Sequence, residues 1–260
     1  DRMLHPIGAR LIDCARLSPG MRVVDIGCGC SEFTRQLARA VGPSGAVLAI
    51  DPVAEFVDDA TRAAARLGLS QIEFMQADAA EYPYPGDADA VVSRLAIMLL
   101  ADLSHALPHV ATALRPGGRL VFAVWGPHVD NDWWTLPLAV RTQVIGHHAP
   151  ALLSPTNANV DGCPGPFRMA DAEDTRRLLQ DAGFAQIDLT DVQEPLWFGA
   201  NVDATVAFFV DHGGAAMRAA LSAAAVQDLR SALRSRLAPY RRPDGVYLPA
   251  RLWVGTARKG

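Results

Sequence analysis

The 260-residue sequence is poor in lysine and contains no long hydrophobic run. Lys259 is its only lysine, so arginine supplies nearly all of the positive charge. The 24 basic residues are outnumbered by 28 acidic ones, and the resulting net charge of −4 argues against a nucleic-acid partner. Because no apolar run reaches the roughly 18 residues that a membrane-spanning helix requires, we predict no membrane partner.

Cysteine is also scarce, and its spacing matches neither a disulfide framework nor a zinc site. The four cysteines are Cys14, Cys28, Cys30 and Cys163. This pattern excludes a secreted disulfide scaffold and indicates free thiols in a reducing compartment. The first residues show no charged leader followed by an apolar stretch, so we predict a cytoplasmic protein.

What the sequence does contain is an alternation of short strand patterns and amphipathic helix patterns in its first half. Such an alternation is typical of an α/β fold with a parallel sheet. The predicted strands cover residues 21–26, 46–50, 71–75, 89–92 and 119–125. Since 50% of the residues are hydrophobic, the chain can bury a large core around this sheet.

A glycine-rich turn connects the first predicted strand to the following helix. Gly27 and Gly29 would let the backbone approach a ligand closely, and the helix that follows would offer free N–H groups. A dinucleotide fingerprint would need a third glycine where Glu32 stands, and a carboxylate fits poorly beside a pyrophosphate. Asp25 precedes the turn and suits a cationic ligand such as an ammonium group. The turn therefore argues against a nicotinamide dinucleotide.

Two further carboxylates follow the second and third predicted strands. The carboxyl ends of parallel strands meet at one edge of the sheet, where open α/β sheets bind their ligands. Asp51 would bind both hydroxyls of a ribose there, and Asp78 would accept a hydrogen bond from an adenine amino group. Any one of these carboxylates could simply cap a helix or a turn. Three of them in successive strand–helix units, together with the glycine turn, favour a nucleoside ligand.

These motifs resemble the class I S-adenosylmethionine-dependent methyltransferases, in particular a bacterial subgroup of the small-molecule type. The resemblance covers residues 23–124 and depends on Asp-Ile-Gly-Cys-Gly at 25–29, Ala-Ile-Asp at 49–51, Gln-Ala-Asp-Ala at 76–79 and Leu-Arg-Pro-Gly-Gly at 114–118. It implies a Rossmann-like seven-stranded sheet of order 3-2-1-4-5-7-6. The last strand would be antiparallel, and helices would cover both faces.

The resemblance also implies which residues bind the cofactor, S-adenosyl-L-methionine, whose product is S-adenosyl-L-homocysteine. The glycine turn would line the methionine and ribose side of the cofactor. The end of the second strand would bind the ribose, and the end of the third strand would flank the adenine. The residues after the fourth strand would flank the transferring methyl group. The implied set is Asp25, Gly27, Cys28, Gly29, Asp51, Pro52, Asp78, Ala79, Ser93 and Arg94.

The domain organisation follows from a break in the strand–helix alternation. We expect residues 1–125 to form the cofactor-binding core and residues 126–170, rich in Pro, Gly, Asn and His, to form a lid that binds the methyl acceptor. Residues 171–260 would complete the same domain, with a helical insertion at about 199–240.

The acceptor site is less well determined by the sequence. An oxygen acceptor must lose a proton, and His128, His147, His148 and His5 are the candidate bases, although each could be an ordinary surface histidine. Three tryptophans would form an aromatic acceptor pocket, or would simply pack in the core: Trp125, Trp133 and Trp134. We predict no metal site, because the sequence shows no cluster of carboxylates at the end of the fourth strand.

We therefore predict methyl transfer to an oxygen, nitrogen or carbon of a hydrophobic small molecule, as in secondary metabolism, by a monomer or homodimer. One alternative is a cyclase or isomerase that keeps the methyltransferase fold and its cofactor without methylating. Another is a cofactor-binding regulatory protein without catalytic activity.

Overall fold

The structure is a computed structural model, and it describes residues 2–30, 32–145, 165–211 and 221–260. Its helices are α1 His5–Ala15, α2 Glu32–Val41, α3 Ala54–Arg66, α4 Leu103–Thr112, α5 Asp132–Ile145, α6 Ala172–Asp181, α7 Val202–Asp211 and α8 Ala223–Leu237. Its strands are β1 Arg22–Ile26, β2 Ala46–Asp51, β3 Ile72–Gln76, β4 Ala88–Arg94, β5 Leu114–Trp125, β6 Phe184–Gly199, β7 Arg241–Arg242 and β8 Gly245–Lys259.

The strands form one sheet of order β3-β2-β1-β4-β5-β8-β6. The first five strands are parallel, and β8 runs antiparallel to both β5 and β6. The order implied by the resemblance is confirmed, including the antiparallel last strand. The one addition is the two-residue strand β7, which pairs with the start of β8 and raises the number of strands to eight.

The core lies on both sides of the central strands. Those strands consist mainly of valine, isoleucine and alanine, and their side chains are almost completely buried, as expected for a parallel sheet covered on both faces. Helix α2 contributes an apolar stripe of Phe33, Leu37 and Val41 at helical spacing, and all three are buried. In the described ranges, no helix is long and apolar enough to cross a membrane.

The C-terminal part differs in detail from the sequence-based expectation. The helix predicted over 217–237 begins at Ala223 in the described residues, because the side chain of Ser222 accepts a hydrogen bond from the backbone N–H of Ala225 and caps the helix there.

Strands β6 and β8 are long and form an antiparallel ribbon. Arg251 of this ribbon donates to Asp130 at 2.7 Å and to Asp191 at 2.8 and 2.9 Å. These ion pairs hold the loop after β5 against the ribbon.

Strands β5 and β8 pair antiparallel, and a glycine on β8 lies opposite a large aromatic side chain on β5. Gly255 is the cross-strand partner of the fully buried Phe122. A Cβ atom at position 255 would lie 2.1 Å from the ring of Phe122. The phenyl ring therefore occupies the space that a side chain on β8 would need.

We expect Gly255→Ala to lower the free energy of unfolding by about 1–3 kcal/mol, as overpacking of a close-packed core does. Urea denaturation would measure the loss. The double variant Gly255→Ala, Phe122→Leu removes the ring that causes the clash and should be less destabilised than the sum of the two single variants. Strict additivity would contradict a direct steric contact.

Candidate cofactor and acceptor site

The turn after β1 adopts a conformation that its two glycines permit. Gly27 has φ of +71° and Gly29 has φ of +51°, in the left-handed region that favours glycine. The backbone N–H groups of Gly27 and Cys28 both donate to the carbonyl of Ile50, at 2.8 and 3.1 Å. A Cβ atom on Gly27 would lie 2.1 Å from the Cβ atom of Ala96. The turn is therefore packed on one side against the loop that follows β4.

The other side of the turn is open. An added Cβ on Gly29 would meet no atom within 4 Å, so a ligand could approach the backbone there. The backbone N–H of Gly29 donates to Asp51 Oδ2 at 2.9 Å, and the N–H of Val53 donates to Asp51 Oδ1 at 3.0 Å. These two bonds fix the Asp51 carboxylate beside the open turn at the end of β2. Pro52, next to it, is exposed.

Asp25 lies beneath the glycine turn and is almost completely buried. Burial raises the pKa of its carboxyl to about 6, although a hydrogen bond from Thr34 and the charge of Arg94 lower it. The Thr34 hydroxyl donates to Asp25 Oδ2 at 2.5 Å. A cation close to this carboxylate would relieve the cost of keeping it ionised.

Asp78 and Ala79 follow β3 at the same edge of the sheet. Asp78 is exposed, and its Oδ1 accepts a hydrogen bond from the N–H of Ala80 at 2.8 Å. Ala79 is buried, and its carbonyl accepts a hydrogen bond from the Tyr84 hydroxyl at 2.9 Å. Burial raises the pKa of that phenol, which keeps it protonated and able to donate.

Ser93 and Arg94 end β4, and the structure gives them different surroundings. The fully buried Ser93 hydroxyl donates to the carbonyl of Ile26 at 3.0 Å and accepts from the N–H of Ile97 at 2.9 Å. It thus connects β4 to the end of β1. The Arg94 guanidinium lies 5.0 Å above the ring of Phe33 and donates to the carbonyl of Leu4 at 3.4 Å. Burial lowers its pKa.

An apolar cavity of about 320 Å³ begins at Leu95, the residue after Arg94. Leu95 has φ of +59°, a conformation uncommon for a residue with a side chain, and it lines the cavity while Ala96 packs on Gly27. The complete lining is Met3, Leu4, Leu95, Trp125, Trp133, Trp134, Pro137, Leu138, Arg141, Phe198, Phe208 and Phe209. The cavity thus combines residues of the N-terminus, the loop after β4, β5, α5, β6 and α7.

The three predicted pocket tryptophans therefore meet in one place. The rings of Trp125 and Trp133 are 4.6 Å apart, and those of Trp133 and Trp134 are 5.7 Å apart. The Nε1 of Trp133 donates to Asn131 Oδ1 at 3.0 Å, which fixes the orientation of this indole. Asn131, fully buried, also donates to the carbonyl of Pro127 at 2.9 Å.

The described histidine candidates lie outside this cavity. His5 is exposed, and its Nδ1 lies 3.4 Å from Gln36 Nε2. His128 is half-buried and packs edge-on against Phe167. His147 and His148 fall outside the described residues. Within the described ranges, the cavity lining contains no histidine, aspartate or glutamate, and its one ionisable side chain is Arg141.

Arg141 is the charged lining residue, and the sequence did not indicate it. Helix α5 carries apolar residues around most of its circumference and contains Pro137, so no amphipathic stripe marks its inward face. Which side of α5 is inward is decided by its packing against α8 and β8, which are distant in sequence.

The fold and the site together define the class of protein. The methyltransferase domain family matches residues 17–165, more than half of the chain. The chain therefore belongs to the class I S-adenosylmethionine-dependent methyltransferases. The residues at the turn fit that cofactor, because they combine an open backbone cradle at Gly29, a fixed carboxylate at Asp51 and a buried carboxylate at Asp25.

Among curated proteins, the chain is 29% identical to nocamycin O-methyltransferase of Saccharothrix syringae over 70% of its length and 66% of the relative's. It is 35% identical to aklanonic acid methyltransferase DauC of Streptomyces sp. strain C5, over 45% of its own length and 54% of the relative's. The chain thus spans about two thirds of the length of one relative and about half of the other.

Solved structures share the fold at low sequence identity. The YcgJ protein of Bacillus subtilis has a TM-score of 0.63 and 16% identity, with 98% of both chains covered. The [4+2]-cyclase SpnF has a TM-score of 0.57 and 20% identity, over 98% of this chain and 80% of that one.

We expect Asp25→Asn to stabilise the ligand-free protein above pH 6. The folded-state pKa of about 6 lies above the ordinary aspartate pKa of 3.8, so ionising Asp25 destabilises the folded state by up to about 3 kcal/mol. The difference between variant and wild type should be absent below pH 4, grow between pH 4 and 6, and stay constant above. Urea denaturation across this pH range measures it; a difference independent of pH would contradict burial as the cause.

We expect Asp51→Ala to weaken binding of S-adenosylmethionine and S-adenosylhomocysteine. A ligand at about 100 times its dissociation constant stabilises a protein by roughly 2.7 kcal/mol, which corresponds to a rise in Tm of about 5–10 °C for a chain of this size. Thermal shift should show this increase for wild type with both adenosyl ligands, a smaller one for Asp51→Ala, and none with NAD. Asp59→Ala, on the exposed side of α3, is the matched control. Equal shifts in Asp51→Ala and wild type would contradict the ribose assignment.

Proposed function

We propose that this protein transfers the methyl group of S-adenosylmethionine to a hydrophobic small molecule of the natural-product type. The observation that supports this most is the apolar cavity at the end of β4, lined by three tryptophans and three phenylalanines. Such a lining suits a flat or polycyclic molecule, since aromatic side chains bury large areas against aromatic partners. The names of the two curated relatives, for nocamycin and aklanonic acid, are consistent with it.

The cofactor would be held by the residues at the glycine turn. Each Asp51 oxygen already accepts one backbone hydrogen bond, and a carboxylate oxygen accepts a second, so Asp51 would bind the two ribose hydroxyls. Asp25 would balance the charge of the methionine ammonium, directly or through water. Asp78 and Ala79 would flank the adenine. The Ser93 hydroxyl already donates its proton to the carbonyl of Ile26. Ser93 would therefore act by positioning the turn rather than by contacting the ligand.

The bound cofactor supplies an electrophilic methyl group on a sulfonium centre. The protein's contribution is then alignment of the acceptor and exclusion of water rather than elaborate acid–base chemistry. Leu4 and Leu95 line the cavity next to Arg94, at the end of β4 where the methyl group would lie. We propose residues 126–170 as a lid over the acceptor; its helix α5 supplies Trp133 and Trp134 to the cavity lining, and residues 146–164 lie outside the described residues.

An alternative is a cyclase that keeps the cofactor without transferring its methyl group. It is favoured by the cavity lining, which contains no histidine, aspartate or glutamate within the described residues and so offers an acceptor no general base. The likeness to SpnF shows a shared fold and does not distinguish the two functions. We also propose, from composition alone, a cytoplasmic location and a monomer or homodimer that binds no nucleic acid.

Methyl transfer itself tests the proposal. The purified protein, with methyl-labelled S-adenosylmethionine and a panel of polycyclic phenols and aromatic acids, should transfer label to at least one compound. Trp133→Ala, which removes part of the cavity wall, should raise KM for that compound while leaving S-adenosylhomocysteine affinity unchanged. Product formation that proceeds equally well with S-adenosylhomocysteine in place of the methyl donor would instead establish the cyclase alternative.

A further inference from the structure

A single charged side chain enters the apolar cavity. Arg141 lies on α5 and lines the cavity among tryptophan, phenylalanine, leucine, methionine and proline side chains. Its Nη2 donates to the backbone carbonyl of Phe209 at 2.8 Å, which ties the guanidinium to α7. Its Nε is buried and has no hydrogen-bond partner among the described residues. No described acidic side chain forms an ion pair with it.

A second unpaired donor lies on the same helix and lines the same cavity. The indole Nε1 of Trp134 is buried and lacks a hydrogen-bond partner within the described part of the chain. Residues 134 and 141 are separated by about two helical turns, which places them on one face of α5. Trp133, in contrast, donates its Nε1 to Asn131 and has no unsatisfied group of this kind.

Leaving two such donors buried is energetically unfavourable. A buried donor without an acceptor costs roughly 1–3 kcal/mol, and a buried charge without a counter-ion costs more. Arginine nevertheless stays protonated in proteins, because its pKa lies far above neutral even where burial lowers it, as here. A ligand that brings an anionic oxygen into the cavity would satisfy the charge and both N–H groups at once.

We propose that Arg141, assisted by Trp134 Nε1, makes the cavity selective for acceptors that carry an oxygen anion on an aromatic or polycyclic framework. This inference builds on the proposed function and names its substrate class: carboxylic acids and acidic enols or phenols. Arg141 is a binding residue here, since it would contact the acceptor's anionic oxygen.

The same assignment explains how transfer proceeds in a cavity whose described lining contains no base. The acceptor gives up its proton to water before it binds, so no side chain has to remove it. Its oxygen forms a bond with the methyl carbon while the carbon–sulfur bond breaks and its electron pair stays on sulfur. The anion and the sulfonium thereby become a neutral ether or ester and a neutral thioether.

A pair of ligands that differ in charge tests the proposal. At pH 8, 2-naphthoate is an anion and 2-naphthamide is neutral, while the ring system is the same. Calorimetric titration in saturating S-adenosylhomocysteine should show wild type binding the naphthoate about tenfold more tightly or better, as expected for a charge-assisted hydrogen bond in an apolar site. Arg141→Met should remove this preference and leave the naphthamide affinity within about twofold.

Two further variants complete the design. Arg66→Met removes an exposed arginine from α3 and should keep the wild-type preference. Trp134→Phe removes the indole donor but keeps an aromatic ring, and it should weaken naphthoate more than naphthamide. It also provides the test if Arg141→Met does not fold, which loss of S-adenosylhomocysteine binding would reveal.

Equal affinity of wild type for the two ligands, no binding of naphthoate, or a preference that survives in both cavity variants would overturn the inference. The readout is binding, so it is independent of methyl transfer. An intact charge preference without methyl transfer would contradict the proposed function alone. Methyl transfer to neutral acceptors without a charge preference would contradict this inference alone.

Discussion

The contact between the turn after β1 and the loop after β4 is the constraint on which both halves of the site depend. Gly27 has no side chain, so Ala96 packs directly on it, and the Ser93 hydroxyl joins the two strands by bonding the carbonyl of Ile26. On one side of this contact lies the open cradle at Gly29. On the other side Leu95 begins the apolar cavity. A close approach of two backbones thus sets the distance between the glycine turn and the apolar cavity.

Charge is distributed unequally between these two halves. The cofactor side holds the carboxylates of Asp25 and Asp51, and burial makes the first of them costly to ionise. The apolar cavity contains, among its described lining residues, one cation, Arg141. A site of this kind favours a cationic group beside the glycine turn and an anionic group in the cavity.

The positions of the strand-end carboxylates could be read from the sequence because they follow from local rules. A buried strand pattern ending in a carboxylate places that side chain at the carboxyl edge, and parallel topology brings successive edges together. The pairing of β1 with β2 and β4 fulfils this expectation. The start of the helix at Ala223 was not predicted, because an apolar pattern does not show at which residue a capping serine will begin a helix. The roles of the individual site residues stay predictions.

The sequence by itself determined the α/β class, the strand order through its resemblance to a family, and the residues at the glycine turn. The α/β class and the turn are consequences of short-range periodicity and of glycine's backbone freedom, which act within a few residues, whereas the strand order came from the resemblance alone. Only the tertiary structure decided that Trp125, Trp134, Arg141 and Phe209 enclose one cavity, and that His128 lies outside its lining. Those residues come from three separate elements, β5, α5 and α7, and their meeting depends on how α5 packs against α8 and β8. Such long-range packing leaves no periodic trace in the sequence of any one element.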